Sequence, residues 1–101
     1  MEKKKPHYLL SDVQNIVKSR GGNAFTATAL MGAAALSLSS KQAVAVVLGL
    51  KQKDFYKSMT TNDDHKIWQD VYHAALKAGL VAYIKVTLRE NGTVVIQFKE
   101  K

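Results

Sequence analysis

Two alternating runs near the C-terminus, Val81–Leu88 and Thr93–Lys99, constrain the fold of this chain more than any other feature. Both are rich in β-branched and aromatic residues, and Glu90-Asn91-Gly92 lies between them, which is the pattern of a β-hairpin. Two turns fit that connection. A two-residue Asn91-Gly92 loop pairs Leu88 with Val95 and Ile84 with Lys99, and it mixes apolar and polar side chains on both faces. A three-residue Glu90-Asn91-Gly92 loop, with Gly92 left-handed, moves the register by one residue. Ile84, Val86, Leu88, Val94, Ile96 and Phe98 then share one face, while Tyr83, Lys85, Thr87, Val95, Gln97 and Lys99 share the other. A one-residue slip carries a strand's whole apolar set to the wrong face, so burial selects the three-residue loop. That register sets Tyr83 directly across from Lys99, with Lys85 two residues along.

The apolar face of such a hairpin needs a cover, and the upstream segments read as helices. Ser11 and Gln14 have capping-box spacing, Val13, Ile16 and Val17 fall on one face, and Gly21-Gly22 ends the helix. A second helix over Ala27–Leu36 would bury Ala27, Leu30, Met31 and Ala34. A third, Ser40–Leu48, has Ser39 and Gln42 at capping-box spacing, a stripe of Val44, Val47 and Leu48, and a stop at Gly49. Lys51–Lys66 is polar, with Asn62-Asp63-Asp64 as a turn. Ile67–Ala78 fits either state. Ile67, Val71, Ala74, Ala75 and Ala78 suit a helix, whereas the aromatic and β-branched Ile67–Tyr72 suits a strand. Residues 1–7 form a basic N-terminal arm, Lys3, Lys4 and Lys5 before Pro6, expected to be mobile. The length of 101 residues suits one domain, 1–101.

Charge narrows the partner. Lys and Arg total 15 against 8 acidic residues, a formal charge of +7. Such an excess favours a polyanion, because cations placed on phosphates release condensed counterions. Cysteine is absent, which excludes disulfides, thiolate zinc sites and Cys nucleophiles and permits the cytosol. His7, His65 and His73 are too scattered for a metal cage, so no metal and no cofactor is expected. No apolar run reaches membrane-span length. Ala24–Leu38 follows a basic N-terminus, but a polar helical segment and Gly21-Gly22 separate it from those charges, unlike a signal peptide.

The polar hairpin face is a candidate active site. Cutting RNA without a metal needs a base for the 2′-hydroxyl, an acid for the 5′-oxygen and donors for the phosphorane. Lys and Tyr can serve when neighbouring cations lower their pKa values, and Tyr83, Lys85 and Lys99 crowd cations together. Lys85 and Gln97 are further candidates for RNA contact. A solvated sheet face carries polar residues too, and periodicity alone favours that reading. His65 is a further candidate for RNA contact or for a general base, because imidazole suits proton transfer, but it lies in the polar turn, where a local hydrogen-bonding role is favoured. Trp68 fits the core better than a base-stacking platform.

Longer stretches carry a resemblance. Asp54-Phe55-Tyr56-Lys57-Ser58-Met59-Thr60-Thr61, then Asp64-His65, then Ile67-Trp68-Gln69-Asp70-Val71-Tyr72, resemble the hallmark stretch of the MqsR toxins. Phe98-Lys99-Glu100-Lys101, and Met1-Glu2-Lys3 with Pro6-His7, resemble that family as well. The likeness is dense from Leu50 to the end, about half the chain, and thinner before it. It implies a RelE-like α+β fold, with helices packed on one face of a curved antiparallel β-sheet and a C-terminal β-hairpin. It implies the toxin of a type II toxin–antitoxin system in the cytoplasm, cutting mRNA sequence-specifically, commonly at GC-containing sites, without metal or ribosome. The implied partner is an MqsA-type antitoxin that binds zinc and DNA. The family's functional positions carry over onto Lys57, Gln69, Tyr83 and Lys99. Tyr83 would then shuttle the proton, Lys57 and Lys99 would stabilise the phosphorane with one of them open to exchanging a proton itself, and Gln69 would orient the phosphate or read a base edge. The resemblance also favours a strand over Ile67–Tyr72.

Two segments depart from the family pattern. Gly21–Ala45 is unusually Ala-rich, which bears on antitoxin contacts, and His73-Ala74-Ala75-Leu76 replaces a more basic, Pro-containing stretch. Three other functions compete: a non-catalytic RNA-binding module, an inactive toxin relative that only binds its antitoxin, and a helix-turn-helix repressor. A binding module should show several aromatic residues on the polar face, where the hairpin supplies only Tyr83. A repressor should show basic helix faces, which the Ala-rich second and third helices lack.

Overall fold

The computed structural model describes residues 1–61 and 64–101. Along the chain come β1 (Glu2–Lys3), α1 (Leu10–Arg20), α2 (Ala27–Ala35), α3 (Ser40–Leu48), β2 (Phe55–Thr60), β3 (Trp68–Ala75), β4 (Val81–Leu88) and β5 (Val94–Glu100). The strands form one sheet in the order β1-β2-β3-β4-β5, with every neighbouring pair antiparallel. The helices cover one face, where Val13, Val17, Ala29, Ala33, Ala43 and Val47 close on Tyr72, Ala82, Ile84, Val86, Ile96 and Phe98. This is the α+β arrangement that the resemblance implies.

The hairpin adopts the register that burial demands. Leu88 pairs with Val94 and Tyr83 with Lys99. The Arg89 N–H donates to Thr93 O at 2.8 Å, and Gly92 sits at φ 81°, closing the three-residue loop. Ile84, Val86, Val94, Ile96 and Phe98 are all buried.

Helix boundaries follow the sequence more closely than helix faces do. α3 starts at Ser40 behind a formed capping box: the Gln42 N–H donates to Ser39 Oγ at 3.1 Å and the Ser39 N–H to Gln42 Oε1 at 2.8 Å. Its buried side chains are Ala43 and Val47, whereas Val44 is half-buried and Leu48 is exposed. The Ser11–Gln14 box does not form, because α1 begins at Leu10 behind Leu9. Gln14 instead donates its amide to the carbonyls of Val47, Leu48 and Leu50, at 3.1, 3.2 and 2.9 Å. A tertiary contact thus gathers three carbonyls at and just beyond the end of α3.

α2 is rotated from the expected face. Ala29 and Ala33 are buried, while Ala27 and Ala34 are exposed and Met31 is 71% exposed. Close approach to β5 is the reason. A Cβ on Gly32 would fall 2.1 Å from Phe98 O, so only a helix face of Gly and Ala can lie on that strand.

Two segments taken for loop and arm are strands. β2 lies inside the polar stretch 51–66, between β1 and β3. The N-terminal arm, expected to be a free segment, is paired into the sheet: Glu2 pairs with Met59 and Lys3 with Ser58. Beyond β1 the chain is tied to Asp70, which is 1% exposed. The His7 N–H donates to both Asp70 oxygens at 3.0 Å, and the Tyr8 N–H to Oδ2 at 2.9 Å. Of the expected turn at 62–64, Asn62 and Asp63 lie outside the described residues; the Asp64 N–H donates to Thr61 Oγ1 at 3.0 Å. Within the ambiguous segment 67–78, Trp68–Ala75 is strand, three residues beyond Tyr72, and a 3-10 turn begins at Lys77.

Gly32→Ala tests the seating of α2. It should destabilise by about 2 kcal/mol, an overpacking cost of ~3 kcal/mol offset by ~1 kcal/mol of helix propensity. The urea unfolding midpoint should fall at constant slope. An unchanged midpoint would mean that α2 does not lie on β5 in this way.

Candidate active site

Opposite the helices, the sheet presents two rows of side chains running across the strands. In the first, Lys57 of β2, Val71 of β3, Lys85 of β4 and Gln97 of β5 are cross-strand neighbours. In the second, His73 of β3, Tyr83 of β4 and Lys99 of β5 are neighbours. Gln69 lies two residues before Val71 on the same face of β3, paired with Met59.

Tyr56 joins the second row through a bulge. The β2–β3 register shifts between Phe55 and Lys57, and the extra residue re-aims its side chain. The Tyr56 ring stacks on His73, with centroids 4.3 Å apart and planes 24° apart, and His73 lies 5.5 Å from Tyr83. Cations border both ends of this ring row. Lys4 and Lys57 Nζ lie 5.3 and 5.5 Å from the Tyr56 centroid, and Lys99 and Lys85 Nζ lie 5.3 and 5.9 Å from that of Tyr83.

The lysines are not electrostatically equivalent. Lys57 Nζ donates to Glu2 Oε1 at 2.6 Å. That bond raises the Lys57 ammonium above its ordinary pKa and pulls the Glu2 carboxyl below its own. Lys85 is shifted down, first by burial and then by the like charges of Lys99 and Lys57. Neighbouring cations thus add to burial in lowering Lys85, while a carboxylate raises Lys57. The His73 pKa is also lowered, by burial and then by Lys101. Its Nε2 is buried with no hydrogen-bond partner.

The structure therefore brings together Lys57, Gln69, Tyr83, Lys85, Gln97 and Lys99. It does not bring His65 to them. His65 is exposed in the turn before β3, eight residues ahead of His73 along the chain. Sequence reasoning missed Tyr56, His73, Glu2 and Lys4. The first two make three aromatic rings on the polar face with Tyr83, so the scarcity of aromatics there no longer argues against RNA binding. Strand alternation from Val71 would have placed His73 on this face had β3 been settled. Nothing local marks the bulge at Tyr56 or the pairing of β1. Among the described residues, no group of three or more His, Cys, Asp or Glu is placed to hold a metal. The set supplies three ammonium groups, a phenol and two carboxamides, which suit a phosphodiester.

Two titrations test these electrostatics. Glu2→Gln should lower the Lys57 ammonium pKa toward its ordinary value, read from the Nζ resonance by NMR; no movement would place Glu2 away from Lys57. The His73 imidazole should titrate below an ordinary histidine, so it is neutral at pH 7 and gains charge only on acidification. Because burial opposes that charge, protonating His73 should destabilise the folded chain as pH falls. Lys101→Ala should move its midpoint up.

Comparison with known proteins supplies the relatives. Residues 5–100 match the family model described as "Motility quorum-sensing regulator, toxin of MqsA". Over 101 residues, covering 100% of both chains, the sequence is 45% identical to the mRNA interferase toxin MqsR of Escherichia coli strain K12.

Proposed function

This chain belongs to the MqsR family of toxins, and on that premise we propose how its polar sheet face cuts RNA. The protein is an mRNA interferase toxin, an endoribonuclease with an RNA target and an antitoxin partner. The finer reading is that cleavage is metal-independent and sequence-specific, ribosome-independent, and directed to GC-containing sites in the cytoplasm. The partner is an MqsA-type antitoxin that binds zinc and DNA.

The observation that carries the mechanism is Tyr83 held between His73 and Lys99, with Lys85 beside it and Lys57 in the adjoining row. The 2′-hydroxyl attacks the adjacent phosphorus and the 5′-oxygen leaves, giving a 2′,3′-cyclic phosphate and a free 5′-hydroxyl. One proton must leave the 2′-oxygen and one must reach the 5′-oxygen. Tyr83 shuttles a proton in this step. Lys85 is the lysine best suited to exchange one, since burial and neighbouring cations already weaken its hold. Lys57, kept protonated by Glu2, and Lys99 act as fixed charges on the phosphorane. Gln69 orients the phosphate or reads a base edge through its carboxamide.

The ring row Tyr56–His73–Tyr83 supports a second reading, in which the same face only binds single-stranded RNA. Incubation of a defined RNA with EDTA present separates the two. Wild type should give discrete cuts ending in cyclic phosphate. Tyr83→Phe should slow cleavage ~100-fold or more while RNA affinity stays within about twofold. Lys57→Ala and Lys99→Ala should lose rate as well. RNA binding without any cut by wild type would favour the binding module, and equal loss of binding and rate in Tyr83→Phe would make Tyr83 a binding residue.

A further inference from the structure

At the β5 edge the polar face ends in a cleft of about 330 Å³. One wall is the start of α2, with Thr26, Thr28 and Ala29; the other is Tyr83, Lys85, Gln97 and Lys99. The α2 wall is fixed in place. Phe25 bridges to Ile96, the Thr26 N–H donates to Ile96 O at 3.1 Å, and Gly32 seats the next turn on Phe98. The volume sits at the low end of ligand pockets, ~300–1,000 Å³, so it suits one nucleoside rather than a length of chain.

Its chemistry is divided by wall. Lys85 and Lys99 are cations on the sheet side, next to Tyr83. Thr26 Oγ1 is already taken by the Ala29 N–H at 3.0 Å. Among the described residues, neither the Thr28 hydroxyl nor the Gln97 carboxamide enters a hydrogen bond, and both side chains are exposed. Each offers a donor and an acceptor, which is what reading a base edge requires. Ala29 and Phe98 border the cleft but are buried, so the half-buried Tyr83 ring is the aromatic surface against which a base can rest.

Tyr83 and Lys99 belong to both the cleft and the catalytic row. A nucleotide whose phosphate lies at those two residues therefore has its base within reach of the cleft. We propose that this cleft is the subsite for the nucleobase next to the scissile phosphate, read by Thr28 and Gln97. The proposal rests on the ribonuclease reading above. It divides the labour: the sheet face cuts, and the gap between β5 and α2 selects which base lies beside the cut. Lys85 and Lys99 at its rim neutralise the phosphate that accompanies the base.

The test is cut-site sequencing of a randomised RNA pool with wild type, Thr28→Val and Gln97→Glu. Val keeps the shape of Thr without its hydroxyl, and Glu replaces a donor with an acceptor. Wild type should show a strong base preference at a position flanking the cut. Each variant should weaken or switch the preference at that one position, by about ten- to a hundredfold in relative cutting, and leave the other positions as they were. Unaltered profiles in both variants would overturn the proposal, as would equal flattening at every position. Should wild type cut no RNA, the ribonuclease reading fails separately, and NMR titration with the four 5′-mononucleotides decides the cleft. Shifts at Thr28 and Gln97 for one base over the others support the subsite; absence of any base preference there overturns it.

Discussion

Gly92 in its left-handed conformation and the Arg89–Thr93 bond hold β4 against β5 in one register, and both faces of the molecule depend on it. On one side, Ile84, Val86, Ile96 and Phe98 form the floor on which the helices pack. On the other, Tyr83 faces Lys99 and Lys85 faces Gln97. A slip of one residue would turn the lysines toward the helices and the floor toward water. Burial of the apolar face thus holds the polar face in place. The same strand carries the constraint outward, because α2 reaches β5 only through Gly32 and its alanine neighbours. The gap left at the first turn of α2 is the cleft beside Tyr83.

At the other end of the sheet, order comes from polar contacts. β1 is two residues long and has little apolar surface of its own. Its position is secured by pairing with β2 and by Asp70, whose carboxylate accepts backbone N–H groups of His7 and Tyr8. That carboxylate is buried, so its bonds matter more than exposed ones would. The anchored strand places Glu2 on Lys57. A site built from like charges thereby gains two kinds of lysine. One is held protonated by a carboxylate; the other is weakened as an acid-holder by burial and by its neighbours. Division of roles between fixed charge and proton exchange follows from where a single carboxylate sits.

How much of this was legible varies with the reach of the signal. Helix limits were, because capping and glycine act within a few residues: Ser39–Gln42 marks α3 and Gly21 ends α1. Helix faces were legible in α1, where Val13 and Val17 are buried as expected, but not in α2. The face of α2 depends on how closely another element approaches, and Met31 lost to Gly32 for that reason. Gln14 had the right spacing for a cap and a better partner elsewhere. β2 was hidden because an inner strand between β1 and β3 can carry polar residues on the functional face, leaving weak apolar alternation. Within the site, Tyr83, Lys85, Gln97 and Lys99 came from one hairpin and could be set in register, while Lys57 and Gln69 were reached only through the family resemblance. Tyr56, His73 and Glu2 were missed.

The sequence by itself determined the hairpin, its register, the basic face that follows from it, and the three helices that cover it. Those depend on alternation, on turn chemistry and on one apolar set seeking burial, all written within short stretches of chain. Only the tertiary structure decided that the N-terminal arm is a strand, that a bulge brings Tyr56 onto His73, that Lys57 answers to Glu2, and that a cleft opens between α2 and β5. Each of these joins residues far apart in the chain, through a contact whose strength depends on distance and burial rather than on neighbouring sequence.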